Sequence, residues 1–214
     1  MSVLTKPKLR GVSHEVAFYV AVVATLALVA LAPSTRTGVV CAIYGTTLVA
    51  LFGVSALYHR RNWSPAGRQI MRRFDHSAIF LLIAGTYTPL FALLDAPGSG
   101  HRPLWMVWIG AALGIGKSLL WPNAPKVVTA AFCLLLGWAV VGDVARLGPA
   151  AGATSTAFLV AGGILYSIGA VVYARKKPDP VPLVFGYHEV FHALVIVASL
   201  CTFVHVVGVV QTAG

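Results

Sequence analysis

Charge is what this chain has least of. Lys, Arg, Asp and Glu make up 10% of its 214 residues, against about 25% in a soluble domain. Only six positions are acidic, and none follows Glu189. A soluble globular fold is excluded on that ground. Cysteine is scarce too. Cys41, Cys133 and Cys201 are too far apart for a CxxC pair, and each falls in a different apolar segment. They read as small buried hydrophobes rather than a disulfide framework. Internal repeats and low-complexity tracts are absent.

What fills the chain instead is apolar sequence, 58% of all residues. A helix needs about 20 apolar residues to cross a bilayer. Seven such segments fit, at roughly 14–32, 38–58, 74–94, 103–121, 126–145, 155–174 and 183–210. Without water in the hydrocarbon core, backbone groups must pair internally, which selects helices. The expected fold class is therefore all-α, a seven-transmembrane helix bundle forming a single integral membrane domain over 1–214. Pro33, Pro97, Pro122, Pro125, Pro178, Pro180 and Pro182 fall in or beside the connections, as helix breakers should. The basic N-terminus ahead of an apolar run resembles a signal peptide. The run is long for one and six spans follow, so it reads as a retained first helix.

The formal net charge is +10. In a soluble protein that would suggest nucleic acid; here the charges mark topology, and no nucleic-acid partner is expected. Lys6, Lys8, Arg10, Arg60, Arg61, Arg68, Arg72, Arg73, Lys117, Lys126, Arg175, Lys176 and Lys177 fall on one side of the seven spans. Arg36, Arg102 and Arg146 alone fall on the other. The positive-inside rule then puts the N-terminus in the cytoplasm and the C-terminus outside, making this a multi-pass protein of the cell (inner) membrane. Trp105 and Trp108 near the outer boundary, and Tyr58, Trp121, Tyr173 and Tyr187 near the inner one, fit aromatic belts. Ser64–Pro65 reads as an N-cap followed by N1, opening a short basic helix that leads into the third span. Gly85 and Pro89 predict a kink there that serves packing.

Polar residues cluster at one depth. His59 ends the second span, Asp75 and His76 begin the third, and His188 and His192 begin the seventh, all on the inner side. Ionisable groups at such positions mark function. His188 and His192 are one turn apart on the same helix face, as are Ser55 and His59. Three imidazoles suit zinc, with a fourth position open for water, the arrangement of catalytic sites. Asp75 could take a proton from that water, and Ser55 could bond a polarised carbonyl or orient Asp75. His14 and Glu15 sit nearby as supporting groups rather than ligands, and His76 is expected at the interface. His205 lies about 20 Å beyond His192 along the helix, too far to join, and should bond another helix. Asp95 and Asp143 fall at outer span ends and are expected to be solvated.

His188-Glu189-Val190-Phe191-His192 also matches HExxH, the zinc-protease signature. Such sites take a third ligand downstream, yet His205 is badly placed and no acid follows. The third ligand must come from upstream, and His59 is the natural choice. Glu189 is then either a base or a residue facing the basic inner surface.

Three blocks carry a resemblance: Ser55-Ala-Leu-Tyr-His59; Asp75-His76-Ser77 with Ala84-Gly85-Thr86-Tyr87-Thr88-Pro89; and Phe185-Gly186-Tyr187-His188-Glu189-Val190-Phe191-His192. Together they resemble the hemolysin III branch of the progestin and adiponectin receptor family, over essentially the whole chain. The resemblance implies zinc on His59, His188 and His192, Asp75 contacting the water on that zinc, and Ser55 beside it. It also implies seven helices with an inward N-terminus. The family is similar to alkaline ceramidases, and its bacterial members are linked to membrane-lipid homeostasis and to cytolysis. The short N-terminal segment and short outer loops depart from the hormone-receptor members.

The expected function is zinc-dependent hydrolysis of a lipid amide or ester in the inner leaflet. Membrane lipids are the expected partners, with no protein partner indicated. Substrate would arrive sideways from the bilayer, with Arg60, Arg61, Arg72 and Arg73 near its head group. Two other classes compete: a non-enzymatic zinc-stapled sensor, receptor-like or cytolytic protein, and an intramembrane HExxH-type metalloprotease. A transporter ranks last, because the outer halves of the spans offer few ionisable groups.

Overall fold

The computed structural model describes residues 7–94, 101–181 and 183–213. Lys6, Asp95, Pro97 and Pro182 of the sequence reading lie outside them. The described residues form eight helices: α1 (Val12–Ala30), α2 (Thr35–Arg60), α3 (Pro65–Leu94), α4 (Arg102–Leu120), α5 (Lys126–Trp138), α6 (Val141–Ala151), α7 (Ala153–Arg175) and α8 (Tyr187–Ala213). Among the described residues six helices are long and apolar enough to cross a membrane, and a seventh is counted if α5 and α6, bent by 47° at their break, are one broken span. The chain is an all-helical integral membrane protein, with one isolated bridge, Val181 to Phe185, as its sole extended pairing among the described residues.

Local sequence sets most helix ends. Ser34 caps α2, its hydroxyl accepting from Thr37 N at 3.2 Å. Ser64 does the same for α3, accepting from Gly67 N at 3.2 Å, with Pro65 in the first helical position as expected. The basic segment after it is therefore one continuous helix with the third span. That helix runs unbroken through Pro89. Gly85 serves packing: a Cβ there would collide with Thr47 Oγ1, so its absence lets α2 and α3 approach closely.

The expected fifth span, 126–145, is not one straight helix. It breaks at Ala139–Val140, and its second half, α6, runs on to Ala151, leaving only Gly152 before α7. Gly137 and Gly142 flank the break and give the backbone little resistance to bending. Tyr87 of α3 donates to the Gly137 carbonyl at 2.6 Å, satisfying an acceptor that an interrupted helix leaves open. Trp138 is held by its indole N–H donating to Ser167 Oγ of α7 at 3.0 Å.

Two apolar clusters hold the bundle. One joins α1, α2, α3 and α8 through Tyr44, Phe52, Leu82 and Val206. The other joins α3 to α7 and the far end of α8 through Phe80, Phe91, Val107, Val140 and Leu159. Helix α8 packs against α7, α3, α1, α6 and α2. A side chain on its first turns therefore meets groups from most of the bundle. Val16, Val20, Val23 and Leu26 of α1 face outward, as lipid-facing positions should.

Candidate metal centre

The start of α8 is built by its own sequence. Gly186 precedes the helix, and Glu189, three residues on, accepts from Gly186 N at 2.9 Å, the reciprocal half of a capping box. Tyr187 N donates to Asp179 Oδ1 at 2.9 Å. This fixes the first turn, so that His188 and His192 project on one face. On the facing helix, His59 lies in the last turn of α2. Trp63 Nε1 donates there to the Leu57 carbonyl at 3.2 Å.

The three imidazoles converge. One nitrogen from each of His59, His188 and His192 lies within 4.8 Å of the other two. His59 Nε2 and His188 Nε2 are 3.1 Å apart. The ring centroids are separated by 4.7 Å for His59–His188, 5.0 Å for His59–His192 and 4.4 Å for His188–His192. All three rings are buried. A hydrogen bond would account for one of these nitrogen pairs. One cation accounts for all three, since nitrogens each roughly 2.1 Å from a tetrahedral ion stand about 3.4 Å from one another. The donor set therefore fits a metal ion: three imidazoles whose nitrogens converge on one point.

Asp75 stands beside this group, its Oδ2 4.0 Å from His59 Nε2. Ser55 is buried one turn from His59 and lines the same cavity as Asp75. That cavity has a volume of about 320 Å³. Its mouth is basic, formed by Arg10, Arg68, Arg72 and Lys126; its far end is apolar, reaching Val144 and Leu159. Of the four arginines expected near a head group, Arg72 alone lines it; Arg60 instead pairs with Glu15 at 2.8 Å.

Other sequence expectations resolve in different ways. Glu189 points away from the imidazoles: one carboxylate oxygen pairs with Arg10 Nε and the other holds Gly186 N. Both of its oxygens are engaged at the start of α8 and not at the imidazole cluster. His205 bonds another helix as expected, with Nδ1 2.9 Å from Ser155 Oγ and 3.1 Å from Ser155 O. His76 was expected at the interface but is buried and lines the cavity, with Nε2 3.4 Å from Tyr173 OH. Tyr173 of α7 packs over it, which is what covers the ring.

Two groups at the mouth went unread in the sequence as parts of a site. Lys126 Nζ donates to Tyr187 OH at 2.8 Å and lies 4.2 Å from the Tyr173 ring centroid. Arg10 reaches across to α8. A lone lysine at the head of an apolar span, facing tyrosines near the inner ends of two others, was the available signal for the first. Nothing local signalled the second.

The family model described as "Haemolysin-III related" matches residues 2–203. The chain is 32% identical over 162 residues to the "Hemolysin-3 homolog" of Bacillus subtilis (strain 168), covering 75% of this chain and 72% of that one. It is 30% identical over 161 residues to "Hemolysin-3" of Bacillus cereus, covering 75% and 70%. The "Monocyte to macrophage differentiation factor" of Homo sapiens is 29% identical over 161 residues, covering 73% and 64%.

Proposed function

The chain belongs to the haemolysin-III related family, and on that premise we propose that it is a zinc-dependent hydrolase of lipid amide or ester bonds, working in the cell membrane on its cytoplasmic leaflet. The observation that carries this reading is the position of Asp75: a carboxylate beside three converging imidazoles, at one end of a cavity that is basic at the mouth and apolar within. His59, His188 and His192 would hold the ion. A bound zinc supplies Lewis acidity and lowers the pKa of water to about 7.

The chain's own residues divide the remaining work. Asp75 takes a proton from the attacking water as the new C–O bond forms, and returns it to the leaving amine or alcohol as the C–N or C–O bond breaks. Ser55 orients that carboxylate or donates to the substrate carbonyl. Arg72 and Lys126 hold an anionic head group at the mouth. The apolar walls take an acyl chain and exclude water from the reacting end. Trp138, Val141 and Val160 line the cavity and are 40%, 54% and 41% exposed. These positions support lateral access from lipid beside the α5–α6 break.

The bacterial relatives carry the name hemolysin. Release of lysolipid or free acyl chains perturbs a bilayer without a pore, so that name and hydrolysis are compatible. The protease reading loses support from Glu189, whose carboxylate is committed to Arg10 and Gly186. The test is turnover of amide- and ester-linked lipids by purified protein in vesicles, with metal content measured on the same sample. Loss of turnover on metal removal, and its return with zinc, is the expected result. A fully metal-loaded protein that leaves every lipid class intact overturns the hydrolase reading and favours a zinc-stapled sensor.

A further inference from the structure

His14 is not among the converging ligands, yet it is buried against one of them. Its ring lies face to face with His192, centroids 3.7 Å apart and planes 8° from parallel. The edge of Phe52 meets His14 on another side, at 5.1 Å and 76°. Both ring nitrogens of His14 are buried and without a hydrogen-bond partner. The ring face makes the close contact with the His192 ring, while the His192 backbone lies near the His14 nitrogens.

This geometry rules out ligation of a shared ion. A metal sits in the plane of an imidazole, along the nitrogen lone pair. For two rings stacked in parallel, an ion on one lone pair lies out of the plane of the other. His14 acts on the centre through His192 instead. A ligating imidazole needs its ring plane fixed, usually by a hydrogen bond from the nitrogen not on the metal. Nδ1 of His192 has no such partner. The stacked ring takes that place.

The local chain is shaped to deliver the stack. Gly11 begins α1 with φ 80, and a Cβ there would stand 2.6 Å from His59 Cβ. Its bare backbone lets α1 start directly against the ligand-bearing end of α2. Arg10 ties the same turn to Glu189 on α8, and Glu15 ties it to Arg60 on α2. His14 sits between these two ties.

We propose that His14 is a positioning residue of the metal centre, its ring fixing the plane of the His192 imidazole by face-to-face stacking between Phe52 and His192. This rests on the reading that the three imidazoles hold a metal, and it is independent of whether the protein hydrolyses lipid.

The test uses the full chain in nanodiscs and reads cobalt(II) binding through the visible d–d absorption of the bound ion, which reports ligand geometry. His14→Leu fills much of the ring's volume without offering a flat face. It should weaken cobalt and zinc binding about 10- to 100-fold, the usual effect of losing an orienting partner, and change the band shape. His14→Phe keeps the face and removes both nitrogens. It should restore affinity and spectrum to near wild type. His14→Leu with wild-type affinity and spectrum overturns the proposal. So does His14→Phe as weak as His14→Leu, because the nitrogens would then be the acting part. Thermal unfolding of the metal-free variants separates a folding defect, and His14→Phe gives the answer if His14→Leu fails to fold. Wild-type protein that binds neither ion would sink the metal reading itself. Binding that is intact in the wild type but indifferent to residue 14 sinks the stacking inference alone.

Discussion

Asp75 Oδ2 and His59 Nε2 stand 4.0 Å apart, beyond hydrogen-bond range yet close enough for both to contact one water-sized ligand. Asp75 is not one of the group His59, His188 and His192, whose ligand atoms all lie within 4.8 Å of one another, and it stands beside that group as a carboxylate poised next to a metal. Asp75→Asn keeps the shape and removes the base. Metal content should stay at the wild-type level while lipid turnover falls about 10²- to 10⁴-fold, the range for a lost general base. Metal analysis and turnover on the same preparation check this. Loss of the metal in Asp75→Asn would move Asp75 into the ligand set and favour a closed structural site.

Two imidazoles from α8 and one from α2 leave no redundancy. His188→Ala and His192→Ala should each lose both bound zinc and turnover. Chelation of the wild type should do the same, and added zinc should rescue only the chelated wild type. Elemental analysis before and after zinc addition reads the outcome. Turnover that persists in metal-free His192→Ala defeats the catalytic reading.

Glu189 offers the sharpest separation of lipid hydrolase from protease. Gln can still accept from Gly186 N but cannot pair with the Arg10 charge. Glu189→Gln should therefore cost about 1–3 kcal/mol of stability, the range for a hydrogen bond between charged groups. Turnover per folded molecule should be unchanged. Thermal unfolding in detergent measures the first and a vesicle assay the second. A protease using Glu189 as its base would lose activity outright.

Gly11→Ala meets two penalties at once. An L-residue at φ 80 costs roughly 1–2 kcal/mol, and the new Cβ would press on His59, 2.6 Å away from its Cβ. The melting temperature should fall. The fall should be larger with excess zinc present, because a displaced His59 gains less from the ion. Melting curves with and without zinc check this, and equal shifts in both would disconnect Gly11 from the site.

The histidine triad was legible because helical periodicity alone puts His188 and His192 on one face, and the charge count brings the end of α2 to the same side. The cap at Ser64 was legible for the same local reason. What sequence could not supply was depth and direction. His76 was read as interfacial, but the packing of α3 against α7 buries it and turns it to the cavity beside Tyr173. HExxH, a linear pattern, left Glu189 open as a base or as a residue facing the basic inner surface. Its partner Arg10 lies at the other end of the chain, and no periodicity links them. At the break after Trp138 the Gly137 carbonyl likewise takes a distant partner, the Tyr87 hydroxyl on α3. Long-range pairs of this kind decide roles and are invisible to local pattern.

Access to the cavity gives the last prediction. Gly163 of α7 lines the cavity, and a Cβ there would stand 3.6 Å from the Trp138 ring. The gap between α5 and α7 is thus one side chain wide at this level, next to Val160 and Val141 on the lipid-facing side. Gly163→Leu should fill it without touching the imidazoles or Asp75. If this is the lipid's route, kcat/KM for long-chain lipids embedded in vesicles should fall by about tenfold or more, a barrier rise of about 1.4 kcal/mol or more. A short-chain, water-soluble amide or ester would approach through the basic mouth at Arg10, Arg72 and Lys126 and should be hydrolysed at the wild-type rate. Bound metal should be unchanged. Equal losses on both substrates would mean that the larger side chain disturbs the centre itself, and no loss on either would place the lipid's route elsewhere in the bundle.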